Sequence, residues 1–263
     1  MENKLRQRFS SAKRVVIKYG TRVLTDATGR PKRERFEEIA SELADLKSKG
    51  KEIILVTSGA IGMGLEALGR KERPEALPEL QMAAATGQVR LMHLYVQVFA
   101  QYNINVAQIL LTREDFNDET RKTNVCNTIA CLLENGVLPV INENDAVSVD
   151  EIKFGDNDLL ASLTASLIKA DALVLASTVD GYFQTQDDGT NKKISFLKSI
   201  GEKELSFAQG KNGHLSSGGM ASKLQSAQSF VHSGGVAMIL DGRTKGVISS
   251  AFSAQSVGTV IGD

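Results

Sequence analysis

Runs of β-branched and aliphatic residues alternate with segments of helical period along most of this sequence, and that alternation limits the fold more than any other feature. Strands separated by whole helices pair in parallel, and a parallel sheet needs helices on both faces. The first run, R-V-V-I-K-Y over 14–19, is expected to be a strand. Phe36, Ile39, Ala40, Leu43 and Leu46 then recur at helical spacing as far as Gly50, a residue suited to ending a helix. The same rhythm predicts strands over 52–57, 106–111, 137–141, 172–176 and 236–240. Helices are expected over 80–101, around 125–132, and over 159–168 and 220–231. Two stretches break the pattern. Residues 142–155 hold the alternating piece V-S-V-D-E-I-K-F, which reads as a β-hairpin excursion, and 184–213 is polar with D-D-G and K-N-G turn signals. No repeat or low-complexity linker divides the chain, so residues 1–263 are expected to form a single α/β domain. The basic first 14 residues are expected to form a solvated helical arm.

Thirty-one basic residues balance 31 acidic ones, so no global field favours nucleic acid or an anionic membrane, and anion binding must be local. No apolar run approaches a membrane span and Lys18 interrupts the apolar stretch nearest the start, so the expectation is a cytoplasmic protein without signal peptide or anchor. Cys126 and Cys131, five apart, suit neither a disulfide framework nor C-x-x-C chemistry and are expected as reduced thiols.

In an open α/β sheet, ligands lie beyond the carboxyl ends of the strands, so the residues that follow each strand carry the functional signal. The first strand runs into Lys18-Tyr19-Gly20-Thr21, a lysine before a glycine turn. The second runs into T-S-G-A-I-G-M-G, where Ser58 and Gly59 open a helix whose N–H groups suit an anion. Its glycine order is G-x-x-G-x-G, not the G-x-G-x-x-G of a dinucleotide fold, and helix packing alone would explain it. The fourth strand ends in I-N-E-N-D-A-V, concentrating Asn142, Glu143, Asn144 and Asp145 on an otherwise apolar run. G-D-N-D follows, with Asp156, Asn157 and Asp158 before an apolar helix that needs only one of them as a cap. The fifth strand ends at Ser177-Thr178. Finally Ser216-Ser217-Gly218-Gly219-Met220-Ala221-Ser222-Lys223 opens the late helix, offering backbone N–H groups to a phosphate with a lysine one turn inside. A strand-end lysine, a cap or a turn would explain any one of these alone. No G-x-x-x-x-G-K-[ST], H-R-D or D-F-G element occurs, which excludes P-loop and protein-kinase chemistry.

V-V-I-K-Y-G-T, I-L-V-T-S-G-A-I-G, A-A-T-G-Q, L-L-T-R-E-D, P-V-I-N-E-N-D-A-V, F-G-D-N-D-L-L-A and G-G-M-A-S-K, taken together, resemble the amino acid kinase family. They cover about residues 14–258, and the I-N-E-N-D-A-V and G-D-N-D pair is similar to members whose acceptor is L-glutamate. The resemblance implies an αβα sandwich around an open, mainly parallel sheet, with acceptor bound by about residues 14–170 and ATP by about 171–263. The implied reaction is ATP-dependent phosphorylation of the γ-carboxylate of L-glutamate to L-glutamyl 5-phosphate, the first step of proline biosynthesis. The alternatives are another small carboxylate such as N-acetylglutamate, or a noncatalytic nucleotide or metabolite sensor.

Residue by residue, the resemblance implies Lys18, Lys223 and Asp158 as catalytic, and Ser58, Asp145, Asn157, Asn142 and Asp156 around the acceptor. It implies Lys18, Gly20, Thr21, Gly59, Ser177, Thr178, Ser217, Gly218, Gly219, Met220, Ala221, Ser222 and Lys223 around ATP. Magnesium is expected on the nucleotide, with no dedicated protein cage. Homo-oligomers and feedback inhibition by proline are implied in the same way. The chain ends at Asp263, which implies a short form without the carboxyl-terminal RNA-modification-type domain of many relatives.

Overall fold

The computed structural model describes residues 1–26, 29–148, 157–186, 188–209 and 219–263. Its helices are α1 (Glu2–Ser11), α2 (Thr21–Leu24), α3 (Arg33–Ser48), α4 (Ala60–Ala67), α5 (Leu77–Ala100), α6 (Glu119–Glu134), α7 (Asp158–Leu167), α8 (Glu202–Gln209), α9 (Met220–His232) and α10 (Val247–Phe252). The strands are β1 (Arg14–Tyr19), β2 (Glu52–Val56), β3 (Val106–Leu111), β4 (Leu138–Glu143), β5 (Ala172–Ser177), β6 (Tyr182–Thr185), β7 (Asn191–Ile194), β8 (Phe196–Leu197), β9 (Val236–Asp241) and β10 (Thr259–Ile261). Eight of them make one sheet in the order β3-β4-β2-β1-β5-β9-β10-β8, parallel except where β10 pairs antiparallel with β9. The chain forms an αβα sandwich.

Strand parity sorts the two cores. Side chains alternate across a strand, so Val15, Ile17 and Tyr19 of β1 join Ile53, Leu55, Leu138 and Val140 in the core under α3 and α5. Val16, Ile54, Val56, Ile141 and Leu173 face the other way, against α7 and α9. Each fully buried aliphatic side chain contributes roughly 1.5–3 kcal/mol. The parity also aims the polar strand ends. Lys18 shares the face of Val16, towards α7, while Asn142 shares the face of Val140, towards α5.

The strands expected from the apolar runs occur, with boundaries within about two residues, as is usual where termini fray. The amino-terminal segment differs from expectation. It is helical but not a solvated arm, because Leu5 and Phe9, one turn apart, are buried in the α3/α5 core. Arg6 is only 3% exposed; its guanidinium donates to the carbonyls of Gln255 (3.1 Å), Val257 (2.8 Å) and Ser195 (3.0 Å) and pairs with Glu2 at 2.8 Å. That side chain ties the amino-terminal helix to the segment that leads into β10. The polar stretch after β5 makes the β6–β7 hairpin, whose turn is closed by the Gln186 N–H donating to the Thr190 carbonyl at 2.7 Å, then β8 and α8. Its K-N-G signal, and residues 149–156 of the expected hairpin excursion, lie outside the described residues.

The crossing of α4 over α5 fixes one wall of the site, and glycine makes it. A Cβ on Gly64 would lie 1.7 Å from the Ala83 carbonyl oxygen, and one on Gly87 would lie 1.8 Å from that of Ala60. The two helices therefore touch backbone to backbone. Gly64→Ala and Gly87→Ala are expected to force the helices apart and cost about 1–3 kcal/mol or more. Thermal or urea unfolding of each variant measures this, and unchanged stability would mean that the crossing relaxes freely.

Candidate active site

The parallel strands all end on one edge, and the predicted residues gather there. Lys18, the fifth residue of β1, is 3% exposed, and its Nζ lies 2.5 Å from Oδ1 of Asp158. Lys223, one turn into α9, is 6% exposed and donates to Oδ2 of the same carboxylate at 2.8 Å. Asp158 is wholly buried at the first position of α7, where the helix dipole also favours a negative charge. Two ammonium groups from opposite halves of the chain thus share one carboxylate at the strand ends. Burial of ions is tolerated when each is paired, which is the case here.

Beside this cluster runs a chain of side-chain amides. Asn157, the cap residue of α7, donates through Nδ2 to the Thr57 carbonyl at 2.6 Å and to Oδ1 of Asn142 at 2.8 Å. Asn142 in turn donates to Oε1 of Gln88 at 2.8 Å, and Gln88 donates to Oε1 of Gln108 at 3.0 Å. Asn142, Asn157 and Gln88 are all buried, so each bond replaces water that these amides have lost. The Ser58 hydroxyl sits 3.4 Å from the Asn157 amide nitrogen. Asn157 and Asp158 are adjacent, so one helix start serves both the amide chain and the lysine pair.

A cavity of about 100 Å³ opens over these groups, lined by Thr21, Ser58, Gly59, Ala60, Ile61, Gly62, Arg73, Asn142, Asp145 and Asn157. Gly59 adopts φ 102°, the left-handed conformation that glycine accepts readily, and turns the chain into α4. The first N–H groups of α4 have no intrahelical partner by construction and lie along this wall. Asp145 lies on the turn after β4, where the Val147 and Ser148 N–H groups bond to the Asn144 carbonyl. Burial raises its carboxyl to about 6, against a smaller opposing pull from the Arg73 guanidinium. A carboxylate held this way gains from a cation delivered to it.

The nucleotide-side predictions are placed in part. Gly219 caps α9, and the first turn that follows, Met220, Ala221 and Ser222, leads to Lys223. Ser217, Gly218 and Asp156 lie outside the described residues. Ser177 and Thr178 are half-buried at the end of β5, where their carbonyls accept from Gly242 N–H and from Arg243, each at 2.8 Å. The Gly20 N–H is spent on the Ala176 carbonyl at 3.2 Å, so what Gly20 offers is space beside Lys18. Among the described residues, no group of three or more His, Cys, Asp or Glu is placed to hold a metal ion, and no helix is long and apolar enough to cross a membrane.

Gln88, Gln108 and Arg73 were not singled out from the sequence. Gln88 carried a usable signal: it stands on the stripe Leu80, Ala84, Leu91, Tyr95 that α5 buries, and a polar residue on such a stripe needs a partner. Arg73 lies in a charged loop with no such mark.

The glutamate 5-kinase of Clostridium acetobutylicum is 42% identical over 255 residues, 96% of this chain and 95% of that protein. That of Moorella thermoacetica is 41% identical over 98% of this chain and 69% of its own length. Among solved structures, the carbamate kinase from Giardia lamblia bound to AMP-PNP superposes with a TM-score of 0.66 at 18% identity, covering 96% of this chain and 99% of that one. The UMP kinase from Bacillus anthracis gives 0.62 at 20% identity, with 96% of each chain covered. These distant structures share the sandwich. The family profile of amino acid kinases spans residues 13–240, from the start of β1 to the end of β9 where the lysines and their aspartate are held, and the chain belongs to the amino acid kinase family.

Proposed function

We propose that the protein transfers the γ-phosphoryl group of ATP to the γ-carboxylate of L-glutamate, giving L-glutamyl 5-phosphate, the first step of proline biosynthesis. The observation that carries this reading is the pair of buried lysines on one aspartate beside a small polar cleft. Full-length similarity to glutamate 5-kinases supports the acceptor.

Phosphoryl transfer to a carboxylate brings two anions together, so catalysis is chiefly positioning and charge neutralisation. The acceptor is already ionised at neutral pH and needs no general base. Residues of the 14–170 half would bind it: the Asn142 and Asn157 amides and Ser58 at the carboxylate end, with Asp145 taking the α-ammonium and Asp156 in support. Residues of the 171–263 half would bind ATP, through Ser177, Thr178 and residues 217–223, with Thr21 and Gly59 reaching the phosphates from the other side. Lys18 and Lys223 would meet the transferring group from both halves, their Nζ positions set by Asp158. Magnesium fits as an ion carried by the nucleotide, because both Asp158 oxygens already face ammonium groups; phosphate oxygens and water would be its ligands, and its chemistry is charge neutralisation. Proline as a feedback inhibitor at the glutamate site, a homo-oligomeric assembly and a cytoplasmic location complete the proposal by family resemblance.

The reaction is tested by incubating the protein with ATP, magnesium and hydroxylamine. L-glutamate is expected to yield ADP and a trapped hydroxamate; signal with N-acetylglutamate or aspartate instead would overturn the acceptor. Lys18→Met and Lys223→Met are expected to lower kcat by on the order of 10²-fold or more with little change in KM. An effect confined to KM would remove them from the transition state. Asp158→Ala strands two buried ammonium groups and is expected to cost roughly 3–5 kcal/mol of stability, more than either lysine variant, by thermal unfolding.

Asp145 supplies a pH test. Its folded pKa, about 6, lies above the ordinary 3.8, so ionising it costs the folded state stability above that range and the cost is recovered as pH falls from about 6 towards 3.8. Asp145→Asn is therefore expected to raise the melting temperature at pH 8, with the gain shrinking towards pH 5. It should also weaken glutamate far more than ATP. In the unaltered protein kcat/KM for glutamate should fall as pH drops below about 6. A variant less stable at pH 8, or equal losses for both substrates, would contradict this role.

A further inference from the structure

An amino acid acceptor carries three charges, and the reading above provides for two. With L-glutamate as acceptor, on which this inference rests, the γ-carboxylate faces the lysine end and the α-ammonium faces Asp145. The α-carboxylate remains. Among the described residues that line the cleft, Arg73 is the single lysine or arginine. It stands on the loop between α4 and α5, whose ends are joined by the Arg70–Glu79 ion pair at 2.7 Å. Pro74 follows it and biases the Arg73 backbone towards an extended conformation, away from continuing either helix. Its guanidinium acts on the Asp145 carboxyl electrostatically, so a cation and an anion line the same cleft.

We propose that Arg73 binds the α-carboxylate of the acceptor and, with Asp145, makes the cleft selective for a zwitterionic amino acid end. The planar guanidinium can hold a carboxylate through two parallel N–H bonds, whereas a lysine would supply only a point charge. Asp145 and Arg73 are opposite in sign and line one cleft, matching the opposite charges of the ammonium and carboxylate on the α-carbon. A dicarboxylate without the ammonium meets Asp145 unfavourably, and an amine without the α-carboxylate leaves Arg73 unused. Selectivity of this kind arises as much from the unmatched charge as from the matched one. Arg73 is exposed in the structure, so its bond to substrate competes with water and the expected effect is moderate.

The test crosses substitutions with truncated ligands, using the full chain and initial rates. L-glutamate is the substrate; 4-aminobutyrate, which lacks the α-carboxylate, and glutarate, which lacks the ammonium, are competitive inhibitors. Arg73→Ala is expected to raise KM for glutamate and the inhibition constant of glutarate on the order of 10- to 100-fold, leaving kcat, KM for ATP and the inhibition constant of 4-aminobutyrate nearly unchanged. Arg73→Lys should fall between. Asp145→Asn should show the reverse pattern, weakening 4-aminobutyrate and sparing glutarate. Equal losses for glutamate and 4-aminobutyrate in Arg73→Ala would overturn the assignment, as would no loss at all, which would leave the α-carboxylate to the start of α4. Melting temperatures within a degree or two of the parent exclude misfolding. Absence of glutamate-dependent acyl phosphate in the unaltered protein would instead defeat the functional reading beneath it.

Discussion

One carboxylate holds the site together. Asp158 takes an ammonium group on each oxygen, one from β1 and one from α9, and these elements lie 205 residues apart in sequence by the numbering of Lys18 and Lys223. Removing either lysine would leave the other on Asp158; removing the aspartate would leave two like charges a few ångströms apart with little water. The fold accepts this arrangement because α7 begins at Asp158, and a helix start is where a buried carboxylate is least costly. On the proposed reaction, stability and transition-state binding would draw on the same three side chains.

Strand parity decides which chemistry goes where. On β1, alternation sends Val16 and Lys18 to the α7/α9 layer and Ile17 and Tyr19 to the α3/α5 layer. On β4 it sends Asn142 towards α5, where Gln88 receives it. Cationic groups and amides are therefore kept on opposite sides of one sheet edge and meet only at the start of α7. A shift of one residue in either strand would turn a polar end into an apolar core and reverse the assignment, so the packed aliphatic residues fix the position of the site as firmly as its own hydrogen bonds do.

Much of this was legible because it sits where patterns change. Lys18, Asn142 and Asp145, Asp158 and Lys223 each mark the point at which an apolar strand or helix meets a polar run, and ligands of such sheets lie at those points. The packing of α1 was not legible: its buried face rests on only Leu5 and Phe9 amid basic residues, and the partners of Arg6 are carbonyls near the other end of the chain. The antiparallel β10 escaped for a similar reason, since three residues are too few to show a period. The glycines before and within α4 suggested ligand approach, yet Gly64 serves helix contact with Ala83, and of the three only Gly59 and Gly62 lie at the cleft. Spacing cannot separate those roles, because both require the absence of a Cβ.

The adjacency of Asn157 and Asp158 has a mechanical meaning. Asn157 bonds to the Thr57 carbonyl and to Asn142, the groups proposed as the acceptor wall, while Asp158 holds the lysines that would meet the phosphoryl group. A displacement of the acceptor wall is therefore transmitted across a single peptide unit to the charges that stabilise transfer. A loop so placed would be free to drift, but these two residues are the cap and first turn of a ten-residue helix whose inner face is buried under α9. The geometry is accordingly set before either ligand arrives, and little reorganisation remains to be done during the reaction. Asp145, by contrast, stands on a turn and carries a raised pKa, because burial outweighs the pull of Arg73, so an ammonium group that reached it would lower its energy further. On the proposed reaction, rigid charges would serve the phosphoryl group and a responsive charge the acceptor, which is the division expected when one ligand must be stabilised in passage and the other must be recognised.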